Sequence, residues 1–109
     1  MARQAKRGML AFTGEQTIRT IDTAAERLRE HLAAHAEVTL DCSAVDEVDL
    51  TFVQMLLAAR KSAAAHGRTL RLSPAAAGPL LACLHAAGVL PEPGGEVRGA
   101  GNFWMTQGD

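Results

Sequence analysis

The sequence predicts an α/β sandwich in which a mostly parallel sheet of four to five strands is covered by three to four helices. Segments 37–41 and 68–73 alternate polar and apolar residues at the two-residue period of a half-buried strand. Segments starting near Ile21 and Phe52 carry apolar residues at the 3.6-residue spacing of a helix that buries one face. Hydrophobic residues make up 48% of the chain but Phe, Trp and Tyr only 4%, a supply of aliphatic and small side chains suited to close helix-on-sheet packing. A helix placed between two strands of one sheet forms a crossover, which makes those strands parallel.

Residues 9–12 are a short apolar run ending at Thr13-Gly14-Glu15, a turn signal, and 16–19 follow as a second short strand, so the chain opens on a small hairpin. Ile21, Ala24, Leu28, Leu32 and His35 then form the inward face of a first helix, with Glu26, Arg27, Arg29 and Glu30 off it. Thr20, Asp22 and Thr23 each suit its N-cap, and Thr23 with Glu26 makes a capping box. After the strand at 37–41, residues 42–49 read as a loop with an apolar interlude at Val48. A second helix runs from Phe52 to about Ala65 with Phe52, Met55, Leu56, Ala59 and Ala63 inward, and His66-Gly67 stops it. Leu70 and Leu72 share one face of the next strand. Leu80, Leu81, Leu84 and Ala87 make a third helix, begun near Gly78 so that Pro79 falls in its first turn, and ended at Gly88. Beyond the Gly/Pro-rich stretch 91–101, Asn102-Phe103-Trp104-Met105 is a last strand or a docked tail. Trp104 is expected to cover a sheet edge or helix, the alternative being an apolar docking patch.

A chain of 109 residues fits one domain: a basic, flexible N-terminus at 1–8, then a single domain over 9–109 that ends in a tail, 91–109. Lys and Arg number 11 against 12 Asp and Glu, a formal net charge of -1, which removes the electrostatic reason to expect nucleic acid or an anionic membrane as partner. No apolar run approaches the roughly 18 residues of a membrane span. The first seven residues are basic like a signal peptide, but 9–12 is too short for its apolar core, and a cytoplasmic protein is expected. Cys42 and Cys83, with no secretory signal, read as reduced apolar side chains.

His31 and His35 share i,i+4 spacing without the Glu that a metalloprotease helix places after its first His, and Cys83 and His85 point in different directions on a helix. No metal site is expected. Neither Cys42 nor Ser43 has a base at an identifiable spacing, and no Gly-rich loop cradles a phosphate. The expectation is a chain that is not an enzyme and carries no cofactor.

The informative stretch is Leu40-Asp41-Cys42-Ser43-Ala44-Val45-Asp46-Glu47-Val48-Asp49-Leu50-Thr51-Phe52-Val53-Gln54-Met55-Leu56-Leu57. It gathers Asp41, Asp46, Glu47 and Asp49 at the carboxyl end of a strand, with no basic residue before Arg60, and runs straight into a helix. Open α/β sheets place their functional loops at that edge. The stretch resembles the STAS domain, the family of bacterial anti-sigma factor antagonists and transporter-associated regulatory domains. Carrying the likeness are Asp41 and Ser43 at the strand end, Val45 and Val48 in the turn, Asp49 before the helix, and Met55, Leu56 and Leu57 within it. Gly67-Arg68-Thr69-Leu70-Arg71-Leu72 looks like the family's next strand, and 80–89, ending in Ala87-Gly88-Val89, like its final helix. The element order matches over most of residues 9–90, and the resemblance implies a STAS-type sandwich.

It also implies a function. The resemblance implies a non-enzymatic regulatory module, an anti-sigma factor antagonist-like partner switch acting in signal transduction and transcription regulation. Such a module binds a histidine-kinase-like ATPase, here through Asp49, Leu50, Thr51, Phe52, Gln54 and Met55. In partner-switching members a Ser or Thr just after the Asp is phosphorylated by the partner kinase, which breaks the complex until a phosphatase restores it. Thr51 matches the second position after Asp49 and is the implied phosphoacceptor. Leu50 replaces the first hydroxyl residue of the family's Asp-Ser-Ser-Gly, and Phe52 replaces its Gly. The alternative is an accessory STAS subunit of an ABC-type lipid transporter, which docks the same helix on the transporter ATPase without phosphorylation. The residues themselves leave another reading open. Thr51-Phe52-Val53-Gln54 is a capping box, Asp49 a cap or turn residue, and the acidic run a solvated loop.

Overall fold

A computed structural model describes residues 7–88 and 103–104. Strands and helices alternate as β1 (Arg7–Gln16), α1 (Ile21–Ala34), β2 (Glu37–Val48), α2 (Leu50–Ala65), β3 (Thr69–Leu72) and α3 (Gly78–Ala86). The sheet runs β1-β2-β3 and both pairings are parallel, the α/β architecture that the alternating periods predict. Leu10 lies level with Leu40 and Leu40 with Leu72, while Val38 lies level with Leu70. Level residues of parallel neighbours share a face, so these side chains form two rows across the sheet, and all five are buried. The helices close over that face with Leu28, Leu56, Leu80 and Leu84, each fully buried and each contributing about 1.5–3 kcal/mol. Met9, on the opposite pleat, is 65% exposed.

Three strands are found among the described residues instead of four to five, and both β1 and β2 are longer than expected. The expected hairpin is one strand: β1 runs from Arg7 through Thr13-Gly14-Glu15 to Gln16, paired with β2 on both sides of Phe12. Gly14 takes φ 68° and the register shifts on either side of Thr13 and Gly14. The turn signal is thus an irregularity absorbed within a strand, which glycine allows without strain. The expected loop 42–49 is likewise strand as far as Val48. Its inward residues are Val38, Leu40 and Cys42 and then Val45, and the break in alternation at Ser43-Ala44 disguises the continuation. At the other end, Arg7 and Gly8 belong to β1 rather than to a separate N-terminal segment. A Cβ on Gly8 would collide with the His35 ring, so the close approach of β1 to the end of α1 requires glycine there.

Of the three helices, only α2 begins at a side-chain cap. Thr20 is the N-cap residue of α1 but makes no side-chain cap bond, and Thr23 lies inside the helix, so the Thr23–Glu26 capping box does not form. α2 starts at Leu50, two residues before the expected start, with Phe52, Val53, Leu56 and Ala63 buried and Met55 and Ala59 partly so. α3 starts at Gly78 with Pro79 in its first turn, as predicted. Arg68 Nη1 donates to Leu32 O at 2.6 Å and His35 O at 3.0 Å, closing the carbonyl end of α1 against the approach to β3. Phe103 and Trp104 are helical rather than strand. Trp104 is fully buried, its carbonyl accepts from Ala76 N–H at 2.7 Å, and Arg60 lies over the Phe103 ring. The Gly/Pro-rich stretch 91–101, with Asn102 and Met105, lies outside the described residues.

Candidate functional site

The acidic stretch divides along β2. Asp41 accepts from Ser43 N–H at 2.9 Å and Ser43 Oγ at 2.6 Å, and these bonds, the hydroxyl's first, hold its carboxyl below the ordinary carboxylate range. The pair sits where β2 changes phase, so it serves the strand's own geometry. Asp46 and Glu47 are exposed, and Glu47 lies level with Glu15 of β1. Glu15 accepts from Thr17 Oγ1 at 2.5 Å and from Arg19 Nε at 2.9 Å, and these two, the threonine first, lower its pKa.

Asp49 is where the site is assembled. It is the N-cap of α2, in extended conformation, and its Oδ1 accepts from Thr51 N–H at 3.0 Å, the standard way to satisfy a free amide of the first helical turn. Its other oxygen, Oδ2, accepts from Ile18 N–H at 3.0 Å, and its own N–H reaches Gln16 O at 3.4 Å. One carboxylate thus joins the start of α2 to the β1–α1 turn.

That placement answers the Thr51 question locally. With Asp49 as cap and Leu50 as first helical residue, Thr51 is the second residue of the helix, so the Thr51–Gln54 capping box is overturned. Among the described residues the Thr51 hydroxyl has no hydrogen-bond partner, and the side chain is half-buried. Leu50 is 44% exposed, and Gln54, one turn on, is exposed beside it. Met55 is half-buried in a groove of about 260 Å³ between α1 and α2, with Leu28, Leu32 and Ala59. Phe52 is fully buried, its ring edge-on to Phe12 with centroids 5.3 Å apart. The structure therefore brings Asp49, Leu50, Thr51 and Gln54 to one surface, sets Met55 at its flank, and withdraws Phe52 into the core.

Ile18 is the residue that sequence reasoning missed. It is 68% exposed and tied to the site through Asp49. The signal was an isolated isoleucine in the polar run Thr17-Ile18-Arg19-Thr20, hidden by reading 16–19 as strand. Elsewhere, His31 Nδ1 lies 2.9 Å from Arg27 O and His66 Nδ1 2.8 Å from Ser62 O, contacts within their own helices. Burial first, and Asp41 second, push the Cys42 thiol up to about 12, so it stays protonated at neutral pH. Among the described residues no three of His, Cys, Asp and Glu come together to hold a metal, and no helix is long and apolar enough to cross a membrane.

A family model described as "Mlab, STAS domain" matches residues 1–90. No curated protein matches the chain.

Proposed function

We propose, from the premise that this chain belongs to the STAS domain family, that it is a non-enzymatic regulatory module of the anti-sigma factor antagonist kind. It docks the start of α2 on a histidine-kinase-like ATPase and is released when Thr51 is phosphorylated. The observation that carries the reading is the unengaged Thr51 hydroxyl: Asp49 caps the helix, so the hydroxyl is left over for chemistry at a surface shared with Leu50 and Gln54. In the transfer, Thr51 Oγ1 attacks the γ-phosphorus of ATP held by the partner. The new O–P bond forms as the β–γ bridging bond breaks, ADP leaves, and the hydroxyl proton passes to a base of the kinase. The phosphate adds roughly -1.5 to -2 charges. Although a helix N-terminus favours an anion, here the Thr51 amide is already held by Asp49, and Asp46 and Glu47 lie close in sequence. A partner seated on this edge meets new charge and bulk, and affinity falls.

A second reading is supported by the two departures from the family pattern. Leu50, 44% exposed, puts an apolar side chain where the family pattern has a hydroxyl, and Phe52 in place of the Gly anchors the helix start in the core, a rigid apolar edge that suits permanent docking as an accessory STAS subunit on an ABC-type lipid-transporter ATPase. Partner capture from the native cell, with the intact mass of the endogenous chain, separates the two. A kinase-like ATPase, with a species heavier by one phosphoryl group (about 80 Da) mapped to Thr51, is the expected result. An ABC ATPase with unmodified chain favours the second reading. In binding measurements with the purified kinase-like ATPase, Thr51→Glu is expected to lose affinity at least tenfold while Thr51→Ala keeps it. Equal binding by both variants removes the switch.

A further inference from the structure

We propose that the docking surface is composite: Ile18 of the β1–α1 turn and Leu50 at the start of α2 form one apolar pair, set in register by Asp49. This inference rests on the reading of α2 as the docking edge. It extends that surface to a segment 31 residues away in sequence and makes Asp49 a positioning residue.

Two observations meet at this place. Among the described residues the large apolar side chains that remain exposed are Met9, Ile18 and Leu50. Met9 is far along β1, on the outer pleat, whereas Ile18 and Leu50 flank a single carboxylate. Asp49 holds both flanks through its two oxygens, at 3.0 Å each, so the turn cannot drift from the helix without losing a bond. A cap needs only one of those oxygens; the second serves the turn. Beside the turn, Gln16 is buried and its amide nitrogen donates to Thr13 O at 2.9 Å, leaving Oε1 buried with no donor. Gln16 lines a groove of about 280 Å³ with Glu15, Arg19, Thr20 and Arg27. That groove is lined by none of Ile18, Leu50 and Asp49, so the orphaned acceptor belongs to the packing of β1 against α1 and not to the apolar pair.

The surroundings specify the occupant. Asp46 and Glu47 are exposed on the adjoining strand, and Arg19, the cation of the turn, is paired with Glu15 at 2.9 Å. The surface is therefore an apolar pair with an acidic border. It fits a protein face that offers an apolar socket edged by Lys or Arg. Anchors of this kind dominate binding when they enter a desolvated pocket, and the charged rim governs the rate of encounter and its salt dependence.

Asp49→Asn tests the register directly. Asparagine caps a helix as well as aspartate, but with its carbonyl oxygen kept on Thr51 N–H, an NH2 group replaces the oxygen that accepts from Ile18, so the helix start is kept and the tie to Ile18 is lost. Binding is read by calorimetry against the purified kinase-like ATPase, and the Ile18 amide by hydrogen exchange in the free chain. Ile18→Ala and Leu50→Ala are each expected to weaken binding about tenfold. Asp49→Asn is expected to weaken it comparably, with an unchanged melting temperature and Ile18 exchange at least tenfold faster. If Leu50→Ala weakens binding and Ile18→Ala does not, the α2 edge stands and the composite surface falls. An Ile18 amide equally protected in Asp49→Asn overturns the positioning role. A wild-type chain that binds no such ATPase overturns both this inference and the function it rests on.

Discussion

Two threonines stand at helix starts in this chain, and the structure uses them in opposite ways. Thr20, at the start of α1, turns its hydroxyl inward: it accepts from Thr17 N–H at 3.1 Å and lies 3.2 Å from both Glu15 O and Thr17 O. It stitches the turn that leads into the helix. Thr51, at the start of α2, has no such engagement among the described residues, because Asp49 already holds the amide that a threonine cap would take. The lesson is that a hydroxyl at a helix start is engaged where the preceding turn folds back on it, as at Thr20, and is left over where a preceding side chain holds the first-turn amide, as at Thr51. The aspartate that precedes the threonine is what frees its hydroxyl from capping.

Substitutions sharpen the contrast. The largest effect is expected at Phe52, the neighbour of Thr51 that anchors α2 to β1 through Phe12. Phe52→Ala should destabilise the chain by about 3–5 kcal/mol, read as a lower urea midpoint at unchanged slope. That would place the stability of this edge in the buried ring and not in the polar residues at its surface. The paired change is smaller. Thr20→Val keeps the shape but removes the hydroxyl, strands the Thr17 amide and should lower stability by about 1 kcal/mol. Thr51→Val removes a hydroxyl with no structural bond and should stay within roughly 0.5 kcal/mol of wild type. Equal losses at both sites would erase the distinction between them.

How much of this was legible beforehand follows from the same logic. The two strand–helix–strand units, the parallel sheet, the rows of Leu and Val and the place of α3 were all readable, because periodic burial writes itself into sequence. The merging of a hairpin into one strand was not. Thr13-Gly14 looks like a turn in any local window, and only pairing with β2 makes it an irregularity. Val45 is buried one step out of phase with Cys42, and no local period predicts a phase change that a neighbouring strand imposes. At the candidate site, the resemblance named Asp49, Leu50, Thr51, Gln54 and Met55, and the structure sets the first four on one surface with Met55 at its flank. Phe52 reads as inward from the helical period and as a contact residue from the resemblance, and its full burial agrees with the period, while the tie of Ile18 to the site is a backbone amide and so escapes both. A hydrogen bond from main chain to a side chain 31 residues away leaves no mark on residue identity.

The start of α1 should also respond to acid through Glu15. Its carboxylate takes the Thr17 hydroxyl and Arg19, which hold its pKa below the ordinary value of 4.5 in the folded chain. A group whose folded pKa is depressed contributes stability that is fully present above its unfolded pKa and is lost as pH falls through the folded one. The melting temperatures of wild type and Glu15→Gln should therefore differ by a constant, small amount at neutral pH, and the gap should narrow as pH falls below 4.5. The gap stays small because the group is at the surface, where water and salt screen such pairs, and raising the ionic strength at neutral pH should shrink it further. A gap that persists undiminished well below that pH would mean that Glu15 acts through packing and not through its charge. The carboxylate would then be no part of what holds the Thr17–Thr20 turn closed, and the inward engagement of Thr20 would rest on main-chain acceptors alone.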